Sequence, residues 1–170
     1  MIVIYLDNNA TTKVADEVRE AMLPYLSELY GNPSSMHTFG GQVHRKIEVA
    51  REQVASLINA DPDEIIFTSC GSESDNTAVM SALLSRPDKR HIITTRVEHP
   101  AVLNFCKTMA RQGYRVTFLP VDKSGRMNIE ELRTAITDDT AVVSIMYANN
   151  ESGVIFPIHD IADIVKSKGV

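Results

Sequence analysis

The residues best suited to chemistry begin with Gly71 and Ser72, in a small-residue loop between a predicted buried strand, 65–67, and a predicted helix. The first N–H groups of a helix have no partner within it, so a loop of this kind can wrap a phosphate. The hydroxyls of Ser69 and Ser72 can add hydrogen bonds. The spacing matches neither a nucleotide P-loop nor a dinucleotide fingerprint. The alternative is that Ser72 or Ser74 simply caps the helix.

Two further polar clusters also follow predicted strands. In the first, Pro100 favours an extended backbone at His99, whose imidazole could stack on a flat ring or move a proton near neutral pH. In the second, Asn150 could donate to a phenolate or carboxylate oxygen. Taken singly, His99 could equally be a hydrogen-bonded loop residue, and the asparagine cluster an ordinary turn. A phosphate cradle, an imidazole and an amide donor together suit pyridoxal phosphate, a phosphorylated aromatic cofactor with a ring oxygen.

The elements that must position these clusters alternate between strands and helices. Apolar spacing predicts an amphipathic helix over 42–59 and a second helical stripe from Val14 to Leu29, broken or kinked at Pro24. The pattern from residue 65 onward predicts further strands and helices: strands 91–95, 115–119 and 141–146, and helices 74–84, 101–111, one capped by Asn128, and one from Ile158. This alternation predicts an α/β fold, a three-layer, mostly parallel sheet with helices on both faces, whose ligands gather beyond the carboxyl ends of the strands.

Composition narrows the class of protein. The 170 residues carry 17 Lys and Arg against 22 Asp and Glu, a net charge of −5, which argues against nucleic acid or an anionic membrane as the main partner. The first apolar run is broken by Asp7 and resembles neither a signal peptide nor a membrane span, so cytoplasm is the default location. Cys70 and Cys106 are not spaced for a metal site or a disulfide framework, and no metal is predicted.

The sequence also suggests an unfinished sheet. Lys168-Gly169-Val170 resembles a helix cap followed by the first apolar residue of another strand. We therefore expect this chain to be the front part of a longer protein.

Five motifs closely resemble the cysteine desulfurases, particularly the nitrogen-fixation NifS type. They occur in the family's order and extend over essentially the whole chain: Tyr5-Leu6-Asp7-Asn8-Asn9-Ala10-Thr11-Thr12, Gly31-Asn32-Pro33-Ser34-Ser35, Phe67-Thr68-Ser69-Cys70-Gly71-Ser72-Glu73-Ser74-Asp75-Asn76, Glu98-His99-Pro100-Ala101-Val102 and Ala148-Asn149-Asn150-Glu151. The resemblance implies a fold-type I pyridoxal-phosphate enzyme, usually a homodimer. It also implies that residues 1–13 belong to a small domain and that 14–170 form the first part of the large cofactor-binding domain.

The implied reaction removes sulfur from L-cysteine, giving L-alanine and an enzyme persulfide that supplies an iron–sulfur scaffold protein. By motif, Gly71 and Ser72 would hold the cofactor phosphate, His99 would stack on its ring and take part in proton transfer, and Asn150 would bond near the ring hydroxyl. Ser72 stands where the family commonly has Thr and keeps the hydroxyl. An aminotransferase, a selenocysteine lyase or a non-catalytic cofactor-binding module are the alternatives.

The residues that would complete this chemistry are absent from the sequence. The family's Schiff-base lysine occurs in a Ser-x-His-Lys setting, which no lysine here has. Cys70, inside the phosphate loop, would be crowded by the phosphate. Cys106 shares an apolar helix stripe with Val102 and Met109, so neither cysteine is a good sulfur acceptor.

We therefore predict that a polypeptide of residues 1–170 alone does not convert cysteine. Incubation with L-cysteine and pyridoxal phosphate should give no alanine above a protein-free blank, as measured by amino-acid chromatography. Alanine formed in proportion to the amount of polypeptide would contradict the prediction.

Overall fold

The computed structural model describes residues 4–170. The chain divides into two compact units, the first ending at Phe67 and the second running from Thr68 to Val170. The boundary suggested by the family resemblance, between residues 13 and 14, stays a prediction. Residues 1–3 of that proposed first segment lie outside the described part of the chain.

The first unit is helical where it is regular. Helix α1 spans Asp16–Met22, α2 spans Pro24–Ser27 and α3 spans Thr38–Ile58, followed by a 3₁₀ turn at Pro62–Glu64. The break predicted at Pro24 is confirmed, since α1 ends at Met22 and α2 begins at Pro24. A proline supplies no N–H with which α1 could continue. Helix α3 begins earlier than predicted, since His37 Nδ1 accepts a hydrogen bond from the N–H of Gly40 at 3.2 Å and caps the first turn.

The strand predicted at 65–67 is wrong. This segment is extended but forms no strand, and the side chains of Ile66 and Phe67 are 76% and 50% exposed. Its contacts are with Arg51 of α3, whose guanidinium donates to the Ile65 carbonyl and lies 5.1 Å from the centre of the Phe67 ring. A short apolar run has the same sequence signature whether it pairs in a sheet or packs on a helix.

The second unit holds the sheet and the helices around it. In chain order it contains α4 (Gly71–Leu84), β1 (His91–Thr95), α5 (Pro100–Arg111), β2 (Arg115–Leu119), α6 (Ile129–Ala135), β3 (Thr140–Val143) and α7 (Ile158–Ser167). The sheet is parallel with the order β2-β1-β3, so β1 is the central strand. The predictions of strands 91–95 and 115–119 and of the surrounding helices are confirmed.

Helices cover both faces of this sheet. Successive residues of a strand point to opposite faces, and Ile92 and Ile93 of β1 accordingly belong to different apolar clusters. Ile92 packs with residues of α4 and α5, including Leu83 and Cys106. Ile93 packs with residues of α6 and α7, including Leu132. The predicted three-layer α/β arrangement is confirmed in this unit.

Strand β3 is shorter than predicted. It ends at Val143, three residues before the predicted end at Met146. The N–H of Ser144 still donates to the Ile93 carbonyl at 2.9 Å, but the N–H of Met146 donates to the side chain of Glu98. A side chain thus takes over where backbone pairing stops.

A buried histidine joins the three strands near their amino ends. His91 is fully buried in β1, with Nδ1 2.9 Å from Thr140 Oγ1 of β3 and Nε2 2.8 Å from Thr117 Oγ1 of β2. Burial and, to a lesser extent, the charge of Arg115 together lower the pKa of His91 from 6.5 to about 4, against an opposing effect of Asp139. The ring is therefore neutral in the folded protein at neutral pH.

We predict that this histidine makes the fold acid-sensitive. Its pKa is lower in the folded than in the unfolded chain, so its contribution is fully present above pH 6.5 and is lost as the pH falls toward about 4. The loss should approach ~3 kcal/mol of unfolding free energy. Urea unfolding from pH 7.5 to 4.5 should show a steeper decline for the wild-type protein than for His91→Gln, which cannot titrate. Parallel declines would contradict the prediction.

Candidate active site

Helix α4 begins inside the small-residue cluster, three residues earlier than predicted. Gly71 and Ser72 occupy its first two positions, and Cys70 stands at the N-cap without a side-chain capping bond. Ser74 N is the first amide to bond back into the turn, to the Cys70 carbonyl at 3.1 Å. The alternative that Ser72 or Ser74 caps the helix is therefore wrong. The N–H groups of this first turn have no acceptor within the helix, a feature of helix starts that bind anions, and those of Glu73 and Ser72 bond to the Cys70 thiol.

Ser69 does not contribute its donors to an incoming ligand, contrary to expectation. Its N–H and its hydroxyl both donate to Glu73 Oε2, at 2.7 and 2.5 Å. These two bonds lower the pKa of Glu73, so that its carboxylate stays ionised. Ser72 is left as the serine of this loop that is suited to a phosphate.

The thiol of Cys70 lies at the same helix start. It is exposed, and the backbone N–H of Glu73 lowers its pKa most, with help from the Ser69 hydroxyl and the N–H of Ser72. A thiolate is thus stabilised by the dipoles that would hold a phosphate oxygen. Cys106 is the opposite case, since burial raises the pKa of its thiol to about 11.

Ser72 and His99 line one cleft between the beginnings of α4 and α5. The cleft has a volume of about 440 Å³ and is also lined by Asn76, Asn104 and Thr108. The Oδ1 atom of Asn76 is buried and has no hydrogen-bond donor. A buried acceptor of this kind is normally paired with a donor or an ordered water.

His99 is placed by the start of α5. It is the N-cap residue with φ −58° and ψ 144°, the extended backbone expected before Pro100. Its Nδ1 accepts the N–H of Ala101 at 3.2 Å. With Nδ1 acting as acceptor, the neutral ring carries its proton on Nε2, the nitrogen left for other partners.

Asn150 lies outside the lining of this cleft, in a turn shaped by its neighbour Asn149. Oδ1 of Asn149 accepts the backbone N–H groups of Glu151 and Ser152 at 3.0 and 2.8 Å. Gly153, at a φ of +74° that side chains disfavour, donates its N–H to the Asn149 carbonyl at 2.9 Å. Asn150 itself is exposed and donates to Glu151 Oε1 at 3.0 Å.

Three polar residues near the site were given no role by the sequence. Asn76 lies four positions after Ser72, a spacing that places two side chains on the same helix face and could have signalled it. Glu98 and Asn149 are buried immediately before His99 and Asn150. Burial raises the pKa of Glu98, and the charge of Asp75 raises it further against the bond from the N–H of Met146. No sequence pattern distinguishes these two from ordinary loop residues.

A parallel α/β sheet with a helix start, a serine and a histidine at its loop edge defines a class of cofactor-binding enzymes, and the comparisons specify the family. Residues 4–170 match the family described as Aminotransferase class-V, and the chain belongs to it. Proteins of this family use pyridoxal phosphate, so the predicted cofactor is confirmed at the level of the family.

The similar proteins are cysteine desulfurases. The chain is 61% identical over 169 residues to a cysteine desulfurase of Trichormus azollae, covering 99% of this chain and 42% of the relative. It is 53% identical over 168 residues to the cysteine desulfurase NifS of Azotobacter vinelandii, covering 98% and 42%. A solved NifS-like protein superposes with a TM-score of 0.94 at 45% identity, over 98% of this chain and 46% of that one. The predicted resemblance is confirmed, and the chain spans about 42% of its curated relatives' length.

The residues of the cleft fit the family's cofactor. The first N–H groups of α4, which have no acceptor within the helix, and the Ser72 hydroxyl suit a phosphate, and an exposed imidazole lining the cleft suits a flat ring. Asn76 also lines the cleft, although its Oδ1 atom is itself buried. Within residues 4–170, no helix is long and apolar enough to cross a membrane, and no group of three metal-ligating side chains is arranged around a common point.

We predict that Cys70 and the cofactor phosphate compete for the start of α4. In the full-length protein freed of cofactor, iodoacetamide should alkylate Cys70 at pH 7.5 and leave Cys106 unmodified until unfolding. Pyridoxal phosphate should slow the rate of Cys70 labelling at least about tenfold, which corresponds to a free-energy difference of ~1.4 kcal/mol. Pyridoxal, which lacks the phosphate, serves as the control and should protect much less. Peptide mass spectrometry measures both sites, and equal Cys70 labelling with and without bound pyridoxal phosphate would contradict the competition.

Proposed function

We propose that the full-length protein is a pyridoxal-phosphate-dependent cysteine desulfurase. It removes sulfur from L-cysteine to give L-alanine and an enzyme-bound persulfide. The observation that carries this proposal is similarity to cysteine desulfurases along nearly the whole chain, together with a serine and a histidine lining one cleft where the family's cofactor fits.

The start of α4 serves as the phosphate site in this proposal. The N–H groups of Gly71 and Ser72 and the Ser72 hydroxyl donate to phosphate oxygens. The Glu73 carboxylate does not oppose this, because it is folded back onto Ser69 and hydrogen-bonded there. The cofactor, when bound, supplies an electron sink for negative charge at the substrate α-carbon.

His99 serves as the ring-stacking and proton-transfer residue. Its backbone is fixed by Pro100, and its Nδ1 is held by the Ala101 amide. In the neutral ring Nε2 carries the proton, so a proton taken up by His99 goes to Nδ1 in place of the Ala101 bond, and Nε2 is the atom that gives one. Asn150, in the turn organised by Asn149, donates its amide to an oxygen of the cofactor ring.

The cellular role follows from the same similarity. We place the protein in the cytoplasm as a homodimer that passes sulfur to an iron–sulfur scaffold protein. The similarity to NifS of Azotobacter vinelandii favours cluster assembly for nitrogen fixation over a general role. Copurification with a scaffold protein and a persulfide transfer assay test this assignment.

Replacing Ser72 should weaken cofactor binding. Ser72→Ala removes a hydroxyl donor to a charged phosphate, a loss of about 1.5–3 kcal/mol or roughly ten- to a hundredfold in Kd. Ser72→Thr keeps the hydroxyl and should bind nearly as well. Ser81→Ala, an exposed serine of the same helix, is the matched control. Titration of the cofactor-free full-length protein with pyridoxal phosphate, followed by absorbance, measures the Kd. Equal affinity of Ser72→Ala and Ser81→Ala would remove Ser72 from the site.

Replacing His99 should slow the reaction and leave the cofactor bound. His99→Ala removes the proton-transfer group, so kcat should fall about 10²- to 10⁴-fold. His159→Ala, an exposed histidine on α7, controls for the loss of a surface imidazole. Alanine release from L-cysteine is measured beside the visible spectrum of the bound cofactor. An unchanged kcat would exclude His99 from the mechanism.

A further inference from the structure

The loops that carry His99 and Asn150 are linked by buried side chains at the edge of the sheet. Backbone pairing between β1 and β3 ends with the bond from Ser144 N to the Ile93 carbonyl. Beyond this bond, the segments that follow β1 and β3 continue toward His99 and Asn150 without backbone pairing between them. Peptide groups near the core still need partners there, because an unpaired buried polar group is costly.

Glu98 supplies the first link. Its side chain is 7% exposed, and Oε1 accepts the N–H of Met146 at 2.6 Å. Met146 lies 48 positions away in sequence, in the extended segment that follows β3. The carboxylate therefore replaces the backbone acceptor that a longer β1 would have offered to this segment.

Asn149 supplies the second link. Its side chain is 8% exposed, and Nδ2 donates to the Val97 carbonyl at 2.9 Å and to Met146 Sδ at 3.3 Å. Its Oδ1 is used by the N–H groups of Glu151 and Ser152. Both polar atoms of this amide are thus hydrogen-bonded. Oδ1 accepts donors within its own turn, and Nδ2 reaches the Val97 carbonyl in the loop that leads to His99.

The two links fix the sequence neighbours of both site residues. Glu98 precedes His99, and Asn149 precedes Asn150. We propose that Glu98 and Asn149, called here the loop-linking residues, are positioning residues that set the spacing between His99 and Asn150 and so place both on one cofactor ring. This inference rests on the proposed function, since it assumes that both residues contact the cofactor.

The Asn149→Asp variant isolates the link from the turn. The aspartate keeps an oxygen for the N–H groups of Glu151 and Ser152 and loses the donor to the Val97 carbonyl. In the full-length protein with pyridoxal phosphate bound, kcat for alanine release should fall about ten- to a hundredfold, as expected for sub-ångström misplacement of catalytic groups. The pH midpoint of the bound cofactor's visible absorption should also shift, because the donor near its ring oxygen moves.

Glu98 gives an independent second test. Glu98→Leu removes the acceptor of the Met146 N–H and should give the same two changes, whereas Glu98→Gln retains an acceptor oxygen and should restore kcat to within about threefold of wild type. Asn128→Asp is the matched control. Asn128 caps α6 by accepting the N–H of Glu130 at 2.9 Å, a role that aspartate keeps, so neither kcat nor spectrum should change.

The outcomes separate the two proposals. Wild-type protein that neither binds pyridoxal phosphate nor releases alanine overturns the proposed function and this inference with it. Active wild-type protein with unchanged kcat in Asn149→Asp or Glu98→Leu overturns only the positioning role. A lower Tm or kcat with an unmoved pH midpoint also overturns it, because that pattern marks a structural residue. If Asn149→Asp does not fold, the contrast between Glu98→Leu and Glu98→Gln decides.

Discussion

The structure of the second unit depends on the burial of its central strand. All five residues of β1 are buried, and their backbone pairs with β2 on one side and β3 on the other. A strand enclosed in this way has no access to water for the polar groups near its ends. Side chains supply some of the partners: the His91 ring bonds to the hydroxyls of Thr140 and Thr117, and Glu98 accepts the N–H of Met146 beyond the carboxyl end. Glu98 directly precedes His99 of the candidate site.

The parts of the fold that local pattern determines were predictable from the sequence. Strands β1 and β2 have the predicted bounds because short β-prone runs there are closed by turns on both sides. The run at 65–67 has a similar composition, yet Arg51 holds it against α3. The early end of β3 was also beyond local pattern, since it depends on Glu98, 48 positions away. In both of these cases, the prediction failed because the structure depends on a contact between residues that are distant in sequence.

The candidate site shows the same division. A helix that follows the Gly71 and Ser72 loop and the extended backbone at His99 were predicted from local chemistry, although the helix begins three residues earlier than predicted. The engagement of Ser69 by Glu73 was not, although both are close in sequence, because either serine of the loop could have met a ligand. The start of α4 is consequently selective. The N–H groups at its first turn also lower the pKa of the Cys70 thiol, while the Glu73 carboxylate is hydrogen-bonded to Ser69.

Each of these loops places a buried residue directly before an exposed candidate site residue. Glu98 and Asn149 are buried, while His99 and Asn150 are exposed. In both loops the buried side chain is hydrogen-bonded to the other loop, and the residue that follows it is exposed. The buried residue can then be hydrogen-bonded within the protein while the next residue stays at the surface. A single residue could not do both, because an amide or carboxylate engaged on all sides has nothing left to offer a cofactor. Precision at the surface of this sheet edge is therefore obtained from polar groups beneath it.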